Sequence, residues 1–372
     1  MLFALSVILL GLLVWRMIWP LKVKWYFKVL LALPLAAGAF KFQWFLLLGG
    51  HFFAPDLPDA VILGGAWLHG AFYFLVGFCL LCEVVRLFFR KTEHSFRNRV
   101  NLGLCIAAGI LSALALAGGA AEPRLTRYTV ALKNLPPAAE GMTIAFLTDL
   151  HVDHTVKPEK IARLVKQVNA LEPDLIALGG DLMDGPPARC GKALAELDKL
   201  EAPFGVFGVP GNHEFYSGLE PWIAFFRRSR MKLLFNESVR LPNGVYLAGT
   251  GDKAAERFFD DPERRKTYGV NLPKALAGIP GGSCTVLLAH RPAVAEESAG
   301  KGVGLQISGH THGGMVRGLD LLVALFNRGW VSGRYEEQGM TLLVSNGTWL
   351  WRGFPLRLGR PGEILLVILK RP

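Results

Sequence analysis

Four long apolar runs crowd the start of the chain, near residues 1–19, 29–48, 60–89 and 100–121. A hydrocarbon core takes about 20 apolar residues to cross, and each run is long enough. A soluble core does not need four such runs in succession, so residues 1–121 read as an α-helical transmembrane anchor of about four spans. The first run reads as a span and not as a signal peptide. It lacks a basic start and has no small-residue cleavage site before Trp15-Arg16. Hydrophobic residues make up 51% of the chain and charged residues only 19%, and most of that apolar excess lies in this third.

The loops between the runs suggest an orientation. Arg16, Lys22, Lys24 and Lys28 follow the first run, and Arg86, Arg90, Lys91, Arg97 and Arg99 follow the third. The segment 49–59 between them carries Asp56 and Asp59 and no Lys or Arg. Basic loops stay in the cytoplasm, so both termini, and the domain that follows, are expected outside, in a multi-pass protein of the cell (inner) membrane. Arg124, Arg127 and Lys133 run against this, and Lys41 interrupts the second run. His51, His69 and His94 have no partner motif and read as packing or interfacial residues. Cys79 and Cys82 form a C-x-x-C in Leu-rich sequence, where packing is the expected role. The formal charge of +11 fits anionic lipid head groups or phosphorylated substrates. Nucleic acid is not an expected partner, because no basic run is interleaved with aromatic residues.

A linker is expected over 122–141, and from residue 142 the periodicity changes. Short apolar runs alternate with amphipathic helices, an α/β pattern with strands buried between helices. Strands are expected at Met142–Thr148, Asp174–Leu178, Phe204–Val209, Val245–Ala248, Cys284–Ala289, Leu305–Ser308, Thr341–Ser345 and Ile364–Leu369. Pro158 opens a helix that places Ile161, Leu164, Val165, Val168 and Leu171 on one face, and a second helix covers 188–200.

What ends the strands is informative. The first runs into Asp149-Leu150-His151, and the second into Gly179-Gly180-Asp181-Leu182-Met183-Asp184. The third runs into Gly211-Asn212-His213-Glu214, and two later ones into His290 and into Gly309-His310-Thr311-His312. Strand carboxyl ends line the ligand crevice of α/β sheets, so these five loops should converge. Any one of these residues alone would more often be a cap or turn residue. Five in order are not a coincidence of that kind. Carboxylates, imidazoles and one amide oxygen, with no thiolate, suit Mn, Fe or Zn. The donors outnumber the needs of one ion. Two ions about 3.5–4 Å apart clamp a phosphoryl group and activate a water, so the residues by themselves point to a metal-assisted hydrolase.

These motifs resemble those of the calcineurin-like metallophosphoesterase superfamily: D-x-H, G-D-x-x-D, G-N-H-[DE], a lone H and G-H-x-H, over residues 142–314. The resemblance implies a four-layer β-sandwich of two mixed sheets flanked by helices over 142–372. It also implies two divalent metals. Asp149, His151, Asp181 and His312 would hold one, and Asp181, Asn212, His290 and His310 the other, with Asp181 bridging. His213 would face the substrate phosphate as catalytic residue, and Asp184 would orient it. The Tyr of the purple acid phosphatase branch is replaced by Leu182-Met183-Asp184, so iron–tyrosinate chemistry is not implied. Val331-Ser332-Gly333, the 345–355 stretch SNGTWLWRGFP and the Pro-Gly-Glu-Ile strand resemble the membrane-associated branch of the superfamily.

That branch is linked by similarity to hydrolysis of UDP-diacylglucosamine, which is made in the cytoplasm, opposite to the side expected here. The expected substrate is a lipid phosphate ester, phosphodiester or diphosphate, such as a glycolipid or polyprenyl phosphate. An anchored phosphodiesterase for soluble nucleotides, or a non-catalytic metal-containing module, are the alternatives. Leu321–Leu325 is expected in the core. Trp349, Trp351 and Arg352 would form an interfacial lip if that segment meets the bilayer. Asp153 and His154, close to the first motif, are expected to be solvated loop residues, with contact to substrate as the alternative.

Overall fold

The computed structural model describes residues 2–51, 53–88 and 94–372, and the chain divides into two units. Arg90 and Lys91 of the second basic loop lie outside the described residues. The first unit comprises Met1–Ala120 together with Arg352–Leu358, and the second Ala121–Trp351 together with Gly359–Pro372.

The first unit is all helical: α1 (Leu2–Leu13), α2 (Trp25–Ala39), α3 (Lys41–Gly49), α4 (Asp59–Phe88) and α5 (His94–Ala120). By length and composition, Asp59–Val85 in α4 and Asn98–Ala120 in α5 can each cross a membrane. The other two expected spans look different. The second run breaks at Phe40, and α2 and α3 meet at 71°, so together they make at most one bent span. The first run gives an apolar helix over Phe3–Ile18, shorter than a full crossing and ending in a π-helical turn at Val14–Ile18. The described helices therefore give two spans, or three with the bent pair, where four were expected.

Small residues let these helices approach. A Cβ on Gly38 would fall 2.4 Å from the Leu68 carbonyl oxygen, so only glycine lets α2 lie this close to α4. Ser112 of α5 donates to the Trp67 carbonyl of α4 at 2.7 Å. A His69 ring nitrogen lies 2.7 Å from the Gly38 carbonyl, which makes His69 a packing residue. Lys41 starts α3, and its Nζ donates to the Gly353 carbonyl at 2.6 Å, tying the returning 352–358 segment into the helical unit. Arg352 pairs with Asp59 in the same unit. Cys79 is buried in an apolar cluster with Leu13, Phe72 and Leu75, as a packing role requires.

The second unit holds two six-stranded mixed sheets. The first has the order β1 (Arg124–Ala131), β12 (Glu363–Lys370), β2 (Thr143–Leu147), β3 (Leu175–Leu178), β4 (Val206–Gly208) and β5 (Lys232–Leu233). The second has the order β10 (Gly333–Glu337), β11 (Met340–Val344), β9 (Leu305–Ser308), β8 (Thr285–Leu288), β7 (Tyr246–Gly249) and β6 (Glu237–Arg240). The stretch expected as a linker, 122–141, instead supplies β1, paired in parallel with β12 along its whole length from Arg124↔Glu363 to Ala131↔Lys370. The alternation and β-branched content of Leu-Thr-Arg-Tyr-Thr-Val support an edge strand, and the basic residues that follow the last apolar run obscure it.

The layering follows from burial. Ile144, Phe146, Val286, Leu288, Ile307 and Leu343 come from both sheets and share one apolar cluster, so the sheets face each other. Ala145, Leu147 and Ile176 point to the other face of the first sheet. There they meet Ile161, Leu164 and Val168 of helix α6 (Pro158–Asn169) and Cys190 and Leu194 of helix α7 (Pro187–Leu194). Alternate residues of one strand thus serve two cores, as the period of two requires. β2, β3 and β4 run parallel in one sheet, and β8, β9 and β11 run parallel in the other, so the carboxyl ends within each set lie at one edge.

Candidate metal centre

The loops leaving β2, β3, β4, β8 and β9 bring the predicted residues into one buried site. Three groups of side chains could each hold a metal ion: Asp149, His151 and His312; Asp181, His290 and His310; and His151, Asp184 and His213. In the first, His312 Nε2 lies 3.4 Å from Asp149 Oδ1 and 3.2 Å from His151 Nε2. In the second, His290 Nε2 lies 3.2 Å from Asp181 Oδ2, and its ring faces His310 Nδ1 at 3.2 Å. Asp181 Oδ2 is also 3.9 Å from His151 Nε2 and 3.8 Å from His213 Nε2. One carboxylate therefore faces both halves of the site. Asn212 reaches the second half through its carboxamide oxygen, which accepts from Arg291 Nη2 at 3.1 Å.

The backbone here is strained. Asp149, His151, Asp181, His310 and His312 all have positive φ, between 46° and 72°, in a region that non-glycine residues rarely occupy. Such strain persists only where surrounding structure holds it, and it gathers at functional sites. The donor chemistry fits divalent metal ions. The carboxylates of Asp149, Asp181, Asp184 and Glu214 are all buried, and uncompensated buried carboxylates demand positive charge. The imidazoles register that demand. Burial alone would lower the pKa of His290, yet Asp181 and Asp149 push it up to about 10. Burial opposes protonation of His213 too, and Asp181 and Asp184 push it up to about 9. Asp181 resists burial through His290 and His213 and stays well below the usual carboxylate range. Burial shifts Asp149 upward. Among the described residues no cysteine joins the three groups, so the donors are nitrogen and oxygen only.

Asp184 does more than orient His213. One carboxylate oxygen bonds His213 Nδ1, and the other lies 3.2 Å from His151 Nδ1. Other roles were not evident from sequence. Glu214 accepts from the backbone N–H groups of Asp181 at 3.0 Å, Leu182 at 2.7 Å and Gly211 at 2.6 Å, and so joins the second and third loops. Burial, reinforced by Asp181, pushes its carboxyl up to about 7. Arg291 Nε donates to Asp252 at 2.9 Å, and its fork turns toward Asn212 and His310. Adjacency to His290 is the signal that could have found Arg291; Asp252 is 39 residues upstream of it. A sixth loop, leaving β11, also reaches the site: a Cβ on Gly347 would meet Asp149 at 2.9 Å.

Three aromatic and apolar expectations separate. Trp349 is buried in the helix-facing core of the first sheet and does not lie at a head-group surface. Trp351 instead faces the site, its ring centroid 5.0 Å from His312, 5.6 Å from His151 and 6.3 Å from His213. Leu321–Leu325, expected in the core, belongs to an exposed helix, Asp320–Phe326, with no buried residue. Asp153 is buried and caps a turn through the Thr155 N–H at 2.8 Å, so it is not a solvated loop residue.

Two mixed sheets whose carboxyl edge carries this D-x-H, G-D-x-x-D, G-N-H-E, H and G-H-x-H set define a metallophosphoesterase domain. The profile of the calcineurin-like phosphoesterase family matches residues 142–314. A bovine transmembrane protein with metallophosphoesterase domain (Bos taurus) is 34% identical over 274 residues, covering 70% of this chain and 60% of the relative. Uncharacterized metallophosphoesterases of two Helicobacter pylori strains are 34% identical over 66% of this chain and 64% of the relative, and 32% identical over 74% and 72%. The chain belongs to the calcineurin-like metallophosphoesterase family. It spans just under two thirds of the length of the first two of these relatives.

Proposed function

We propose that the chain is a membrane-bound, two-metal phosphoesterase that hydrolyses a phosphate ester, phosphodiester or diphosphate of a lipid. The observation that carries the reading is Asp181, whose single carboxylate oxygen lies 3.2 Å from His290 Nε2 and 3.9 Å from His151 Nε2. Asp149, His151, Asp181 and His312 would hold one ion, and Asp181, Asn212, His290 and His310 the other. Divalent ions held there, manganese, iron or zinc by donor type, would polarise the phosphoryl oxygens and supply a nucleophilic water at neutral pH. The side chains do the rest. His213, held by Asp184, lies beside the shared carboxylate, where it can stabilise charge on the phosphoryl group or protonate the leaving oxygen. Trp351 walls the same side. The apolar clusters on both sides of the first sheet support the four-layer arrangement expected of the family.

The lipid part of the reading rests on the candidate spans and on the family relative whose name includes a transmembrane region. The basic 86–99 segment runs from the end of α4 into the start of α5. If it is cytoplasmic, α5 leads outward and the catalytic unit lies outside the cell membrane, whatever the number of earlier spans.

The test uses purified full-length protein with Mn²⁺, Fe²⁺ or Zn²⁺ against bis-p-nitrophenyl phosphate and against phospholipid-embedded phosphate esters. Turnover that depends on added metal and two metals per chain are expected, with both metals lost in Asp181→Ala. No turnover with any of the metals, while metal still binds, would make this a binding module. Turnover of soluble nucleotide diesters alone would remove the lipid. A lipid-phosphate profile of cells lacking the protein would then name the substrate.

A further inference from the structure

The Asp320–Phe326 helix carries Leu321, Leu322, Leu325 and Phe326 at 71%, 55%, 76% and 85% exposure in the whole chain. Single exposed leucines are ordinary, but four large apolar side chains on two turns form a contiguous patch that a water-facing surface does not keep without use. Where the helix sits in the catalytic unit says what covers it.

The chain enters the catalytic unit from α5 within four residues, Ala120 to Arg124, and the Arg124 N–H donates to the Gly362 carbonyl at 2.8 Å. It enters a second time at Gly359, when it returns from the 352–358 segment that belongs with the helical unit. Gly359 is bridged to Val316, four residues before the helix. The next residue, Arg360, pairs with Asp320, the first residue of the helix, at 2.6 Å. The second of these points thus lies on the order of 15 Å or less from the start of this helix, and the first within about 35 Å along the same path. The other neighbour is the metal loop. His312 stands eight residues before Asp320, and a Cβ on Gly314 would fall 2.4 Å from the Asp320 Cα. Arg317 is exposed just before the helix, where anionic head groups would meet it, and Arg328, exposed just after it, pairs with Glu296 at 2.8 Å.

We infer that the Asp320–Phe326 helix inserts into the lipid bilayer as an interfacial foot that seats the metal site at the head-group surface. The occupant is lipid. A helix with an apolar surface and basic flanks settles about 5–10 Å into the head-group boundary. The asparagine, arginine and glycine after Phe326 end the foot at the depth of one or two turns, too short to cross. The inference rests on the chain being held in a membrane and holds whether the substrate is a lipid or a soluble ester.

The experiment uses the full chain, one copy per nanodisc, in phosphatidylglycerol–phosphatidylcholine bilayers doped with a phospholipid that carries a photoactivatable diazirine in its acyl chain. After illumination, trypsin cuts at Arg317 and Arg328 and releases Gly318–Arg328 as one peptide. Lipid adducts are expected on that peptide and on peptides of α4 and α5, and not on other peptides of the catalytic unit. A variant with L321E, L325E and F326E should lose the adducts at 318–328 and keep those of α4 and α5. The label readout needs no activity, so it separates this inference from the substrate reading. If α4 and α5 are labelled and 318–328 is not, in the native chain, the foot does not enter lipid. If two-copy discs of a chain carrying photo-leucine at Leu321 and Leu325 give chain-to-chain cross-links there, while the lipid probe leaves 318–328 unlabelled, a second copy covers the patch and the inference is overturned.

Discussion

Asp184 holds two imidazoles at once, His213 through one carboxylate oxygen and His151 through the other at 3.2 Å. One of these rings belongs to the proposed metal set, and the other is the proposed catalytic group, so a single carboxylate fixes the direction of both ring Nε2 atoms. Carboxylates that orient liganding histidines are worth roughly 10–100-fold in metal affinity or activity. Asp184→Asn keeps the shape and removes the charge. It should lower turnover of bis-p-nitrophenyl phosphate by about that factor and weaken metal binding in the His151 group. Titration of the metal-free variant with Mn²⁺, read by calorimetry, measures the second effect. Unchanged affinity with reduced turnover would confine Asp184 to His213.

His213 lies beside the carboxylate shared by the two proposed metal sets, 3.8 Å from Asp181, and its backbone N–H donates to Asp181 Oδ1 at 2.8 Å. Removal of its ring in His213→Ala leaves that backbone bond and the seven proposed metal donors in place. Both metals should remain by elemental analysis, and kcat should fall by about 10²–10⁴-fold, the range for a proton-transferring side chain. A leaving group that needs no proton should recover much of the loss. Equal losses for good and poor leaving groups would assign His213 to charge stabilisation.

The site was legible because its chemistry stands at strand exits, and each strand of the core is a short apolar run ended by a polar loop. Residues that act across loops were not legible. Arg291 meets Asp252 only because β7 and β8 are neighbours, and Glu214, though it closes the G-N-H-[DE] pattern, gives no sign there of the three backbone donors it binds. Trp349 and Trp351 are two residues apart and share composition, yet one fills a core and the other faces the histidines. The Leu321–Phe326 run shows a further limit. Hydrophobicity says that side chains leave water, and both a protein core and a bilayer accept them, so the sequence alone favoured the core. β1 hid behind basic residues, and β10 is an edge strand of Arg and Glu with little apolar alternation to reveal it.

Glu214 replaces missing hydrogen-bond partners for three backbone N–H groups in the loops that carry Asp181 and Asn212. Glu214→Ala would leave those donors buried and unsatisfied, at about 1–3 kcal/mol each less whatever water recovers. The catalytic unit should melt several degrees lower, and the positive φ at Asp181 should relax, with loss of metal from both groups. Glu214→Gln keeps one acceptor and should give an intermediate melting temperature. Differential scanning calorimetry on metal-free and Mn²⁺-loaded full-length protein checks both, and an unchanged melting temperature in Glu214→Ala would contradict the role.

Arg291 is fixed at its Nε by Asp252, and its two terminal nitrogens point to His310 at 2.9 Å and Asn212 at 3.1 Å. A guanidinium held at one end and turned toward the ligand atoms of one metal group is placed to donate a fork of hydrogen bonds to a phosphoryl oxygen. A charge-assisted hydrogen bond of about 1.5–3 kcal/mol corresponds to roughly 10–100-fold in binding. Arg291→Ala should therefore raise KM for a phosphodiester by about that factor and change kcat less. Arg291→Lys should recover only part, because an ammonium supplies charge without the fork. Inhibition by inorganic phosphate should weaken in parallel with KM. If phosphate inhibition is unchanged while one metal is lost, Arg291 holds Asn212 and His310 in place and does not touch the substrate.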